Sequence, residues 1–89
     1  MKELIALYRQ RLEDAGHDPE SIYTRYEHGN GWSGEPDAQY QHLLWMLNNM
    51  PDDPAKFDRW LGFVQCVLWS LDVFTLDELR AQTRKALGN

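Results

Sequence analysis

The run FDRWLGFVQCVLWSLDVF, residues 57–74, constrains this chain more than any other stretch. Phe57, Trp60, Leu61, Val64, Val67, Leu68 and Leu71 recur at helical spacing and form one continuous apolar face. Phe63, Cys66, Trp69 and Val73 put further apolar surface on the other sides. A helix that is apolar almost all round is a buried helix. These residues therefore predict a central helix over about 54–72, with the rest of the chain packed around it.

With 89 residues, the chain reads as a single domain, 1–89. A domain of this size hides only about 60–65% of the surface its unfolded form exposes. Four Trp, four Tyr and three Phe enlarge that small core. The lone cysteine, Cys66, excludes an internal disulfide framework; inside the apolar run it is expected to pack as a small hydrophobe, in keeping with a reducing cytoplasm. The N-terminal MKELIALYRQRLED is too broken by charge for a secretory signal. The uncharged run over 60–71 is too short to span a bilayer, so no membrane partner is expected.

The rest of the chain is also helical in pattern, with no convincing strand. Leu4, Ile5, Tyr8, Leu12 and Ala15 make the stripe of a first helix over 2–15, with Gly16 at its stop. Asp18 and Pro19 read as cap and first turn of a short helix over 21–28, which turns Ile22, Tyr23 and Tyr26 inward and ends at Gly29. The loop NGWSGEP, 30–36, precedes a helix over 37–49 with Tyr40, Leu43, Leu44 and Leu47 as its stripe, widened by Trp45 and Met46 and stopped by Pro51. Asp53-Pro54 repeats the cap-and-proline device at the start of the central helix. Thr75 and Glu78 form a capping box, flanked by Phe74 and Leu79 at the staple positions, and open a last helix over 76–87. The expected fold is all-α: a compact bundle of four main helices plus one short one. Gly62, Cys66 and Ser70, four residues apart, form a strip of small side chains where the first or last helix is expected to cross closely.

No motif carries chemistry. His17, His28 and His42 lack a second ligand type at metal spacing, so neither a metal nor a cofactor is expected. Ser33, between glycines, is not in a nucleophile elbow, and no base is placed to activate Cys66. The chain reads as a non-enzyme.

Charge is unevenly spread within a net −5. Nine acids between Glu13 and Asp53 are opposed by Arg25 alone. Such a segment argues against direct nucleic-acid binding, which needs a basic face, and is compatible with a partner that has a basic surface. Trp32, between Gly31 and Gly34, is the best-placed anchor. Tyr23, Tyr26 and Trp32, rimmed by Glu27, Glu35 and Asp37, form the candidate partner-binding set.

The blocks HLLWML (42–47) and RWLGFVQCVLW (59–69), followed by FTLDELR (74–80), resemble a group of small uncharacterised proteins of tailed bacteriophages and prophages. There a CLWML block precedes RWLGFVQGVLW and a TIDELR ending. The likeness covers about 42–80; Cys66 stands where the pattern has glycine, and the acidic Trp32 region lies outside it. It implies a phage accessory protein acting in the bacterial cytoplasm. The expected function is to bind and occlude a bacterial host protein, as host-takeover and anti-defence proteins do. Two alternatives stay open: a homodimeric structural or assembly protein, and a nucleic-acid mimic that blocks a DNA-binding protein. Should the central helix be left partly uncovered, its apolar face is itself the binding site.

Overall fold

The computed structural model describes residues 1–17, 19 and 36–88, with only the backbone of 36–38. The expected short helix over 21–28, its Asp18 cap and loop residues 30–35 lie outside the described residues. What is described is all-α: α1 (Lys2–Asp14), α2 (Pro36–Asn48), α3 (Pro54–Ser70) and α4 (Leu76–Ala86).

Local signals place most of the boundaries. At the end of α1, Gly16 takes φ 87°, letting its N–H reach the Glu13 carbonyl while His17 N–H reaches that of Leu12. Those two bonds are a Schellman stop. The Asp53 carboxylate accepts from Lys56 N–H at 2.9 Å, with Pro54 in the first turn of α3. The Thr75 hydroxyl accepts from Glu78 N–H at 3.1 Å, and the Glu78 carboxylate accepts from Thr75 N–H at 2.9 Å. α3 closes on a second Schellman pair, Asp72 N–H to Trp69 O and Val73 N–H to Leu68 O. Here the left-handed residue is Asp72, at φ 60°.

The four helices form a ring of contacts: α1 lies against α2 and α4, and α3 against the same two. Each contributes to one core, through Leu4, Ile5, Tyr8 and Leu12 from α1 and Leu61, Val64, Val67 and Leu68 from α3. α2 supplies Leu43, Leu44, Met46 and Leu47, and α4 supplies Leu79. Ala15, expected in the α1 stripe, is exposed.

The expectation of an enclosed central helix is corrected. α3 is one wall of the ring, and its buried face is narrower than its apolar run. Phe57, Trp60 and Leu71 are only partly buried, Phe63 is 42% exposed and Trp69 is 51% exposed. Two flanking helices cover one side of a cylinder, and the other side faces solvent.

Candidate functional site

At about 100° per residue, Leu61, Val64, Val67 and Leu68 share one arc of α3. Gly62, Cys66 and Ser70 fall roughly opposite, and all three are exposed. The expected close crossing is not seen among the described residues: none of their atoms lies within 4 Å of where a Cβ at Gly62 would stand. Cys66, expected in the core, is an exposed free thiol. The helices that adjoin α3 are α2 and α4, and the large side chains of the buried arc, not the small strip, meet the core.

Beside that strip runs a groove of about 590 Å³ between α3 and α4. Its α3 wall is Gly62, Cys66 and Trp69; its α4 wall carries Leu76 and, on the rim, Arg80 and Arg84. Leu79 is buried at the base, while Leu76 is 45% exposed.

Gln65 and Thr83 close the groove at the bottom by joining the two helices. Gln65 Nε2 donates to Thr83 Oγ1 at 2.9 Å and to the Tyr8 hydroxyl at 3.1 Å. The Thr83 hydroxyl donates to the Leu79 carbonyl at 2.9 Å, and the Tyr8 hydroxyl donates to Gln82 Oε1 at 3.0 Å. Burial pushes the Tyr8 phenol above its ordinary 10.0, and the Gln65 hydrogen bond opposes the rise. The groove thus stands on a polar network spanning α1, α3 and α4, in which the Gln65 amide and the Tyr8 and Thr83 hydroxyls all donate.

An aromatic cluster lies where α2 meets α3. His42 stacks on Trp45 with centroids 5.7 Å apart, and Trp45 contacts Trp60 at 6.1 Å. His42 is 6% exposed, and burial holds its imidazole below the ordinary 6.5. Sequence reasoning missed this histidine as a core residue. The available signal was Trp45 and Met46, three and four residues on, which share its side of the helix.

Of the sequence-predicted site, Tyr23, Tyr26, Glu27, Trp32 and Glu35 lie outside the described residues, and of Asp37 only the helical backbone is described. Gly62, Cys66 and Ser70 are brought together, but on an open face. Among the described residues there is no group of three or more His, Cys, Asp or Glu that could hold a metal ion. No helix among them is long and apolar enough to cross a membrane.

The chain matches none of the protein-family models, curated proteins or solved structures with which it was compared.

Proposed function

We propose that this chain is a small non-enzymatic accessory protein, of the kind tailed bacteriophages encode, that binds and occludes a host protein in the bacterial cytoplasm. The observation that carries the proposal is the uncovered face of α3. Trp69 is half exposed and Phe63 nearly so, on a helix whose composition would let it be buried. Aromatic side chains left in water on a rigid helix are the usual anchors of protein interfaces. The acids between Glu13 and Asp53 steer a partner with a basic surface toward the molecule.

The test is capture from a bacterial lysate with three baits: the native chain, a Trp69→Ala variant, and a Trp32→Ala variant with Glu35 and Asp37 reversed in charge. A prey lost with the second bait assigns the α3 face, and one lost with the third assigns the acidic segment. Identical prey with all three removes both assignments.

The same exposed face favours one second reading, a homodimer closed through α3. Sedimentation at micromolar concentration decides it, since a strict monomer removes the dimer.

A further inference from the structure

The lining of the α3–α4 groove has a sign. The two charged residues on it are both arginines, Arg80 and Arg84, one turn apart on α4. Arg80 reaches Asp77 at 4.0 Å in an exposed pair, which contributes little. Arg84 has no ion-pair partner among the described residues. Between this cationic rim and α3 the surface is mostly apolar, supplied by Trp69, Leu76 and Leu79 with the Cys66 thiol, above the Gln65–Thr83 pair at the base. At Gly62 the α3 backbone is bare, so an occupant can approach it more closely than any side chain would allow.

We propose that the groove docks an amphipathic helical segment of a partner protein, with apolar anchors on one face and carboxylates flanking them. The inference rests on the reading of this chain as a binding protein and names the chemistry of what the α3 face takes. Anchors one helical turn apart would cover Trp69 and Leu76, and carboxylates would meet Arg80 and Arg84. A basic segment would face two like charges. A second copy docked groove to groove would bring no carboxylate from its own lining to meet Arg80 and Arg84. A lipid surface offers anions too, but a bilayer is flat and leaves a concave groove unfilled.

The probe is a fluorescent synthetic amphipathic helix with Leu and Phe on one face and Glu on both flanks, compared by anisotropy with the same helix carrying Lys for Glu. The Glu helix is expected to bind about tenfold tighter than the Lys helix. Arg80→Glu with Arg84→Glu inverts that preference. Gly62→Leu fills the groove from an exposed position and abolishes binding of both helices with no loss of thermal stability. Trp69→Ala weakens the Glu helix by about thirtyfold. Equal binding of the two helices, binding of neither, or a Glu preference that survives the arginine reversal overturns the proposal. So does binding to anionic phosphatidylglycerol vesicles with no binding to the peptides. Because the helices are synthetic, a lysate that yields no prey leaves this titration intact. A failed titration, in turn, leaves standing any prey captured through the acidic segment.

Discussion

The Tyr8 hydroxyl on α1 accepts a hydrogen bond from Gln65 Nε2 on α3 at 3.1 Å, across the diagonal of the helix ring. The backbones of α1 and α3 do not adjoin; each adjoins α2 and α4 instead. A fully buried tyrosine therefore couples the two walls that the backbone leaves apart. Its second bond, to Gln82 Oε1, brings α4 into the same register.

Tyr8→Phe removes that junction while keeping the ring in place. It leaves Gln82 Oε1 and one Gln65 hydrogen without their partner, at a cost of about 1–3 kcal/mol in urea unfolding. A double-mutant cycle with Gln65→Leu is expected to show a coupling of at least about 0.5 kcal/mol. Strict additivity would mean the bond contributes nothing.

Gly62→Ala tests the corrected packing of α3. A glycine within a helix costs about 1 kcal/mol against alanine. With open space where the Cβ would stand, the variant is expected to be more stable by about 0.5–1 kcal/mol. Destabilisation would restore a close helix crossing at this position.

Asp72→Gly addresses the turn after α3. Asp72 sits at φ 60°, where a residue with a Cβ is held at a cost of roughly 1–2 kcal/mol. Glycine removes the steric part and adds chain entropy to the unfolded state, so the net expected gain is about 0.5 kcal/mol. A lower unfolding midpoint would show that the Asp72 side chain stabilises the turn by more than its strain.

Most of what is local in this fold could be read from residues alone. The Thr75–Glu78 box, the Asp53-Pro54 start and the Gly16 stop act within one turn of chain, so their residue types suffice. The stripes of α1 and α2 were legible because polar residues mark their outer faces. α3 offered no such mark. With Phe63, Cys66 and Trp69 opposite Leu61, Val64 and Leu68, periodicity cannot say which side meets the core, and only the placement of α2 and α4 decides. The Tyr8–Gln65–Thr83 network was hidden for a related reason. Its members lie 57 and 18 positions apart, and nothing near each one announces the others.

His42 makes stability depend on pH. Its folded-state pKa lies below the ordinary 6.5 because burial disfavours the imidazolium, and Arg59 shares the cleft beside it. The unfolded chain takes up a proton at a pH where the folded chain stays neutral. The stability this contributes is complete above about 6.5 and is lost as pH falls through the window below it. Urea midpoints measured between pH 7.5 and 5 are expected to fall less steeply in His42→Leu than in the native chain. Parallel slopes would mean that His42 is protonated as readily when folded as when unfolded.

Cys66 gives the most direct test of an open docking face on α3, because it is the only thiol in the chain and stands in the groove wall. The measurement is its reaction rate with a disulfide reagent under native conditions, alone and with the Glu-flanked amphipathic helix at saturation. An open groove predicts rapid, stoichiometric reaction of the free protein. Docking predicts that the helix slows it, and that the Lys-flanked version or the Arg80→Glu, Arg84→Glu variant does not. A thiol that reacts only after urea is added would contradict the open face. A thiol that reacts just as fast with the helix bound would place the docking site elsewhere.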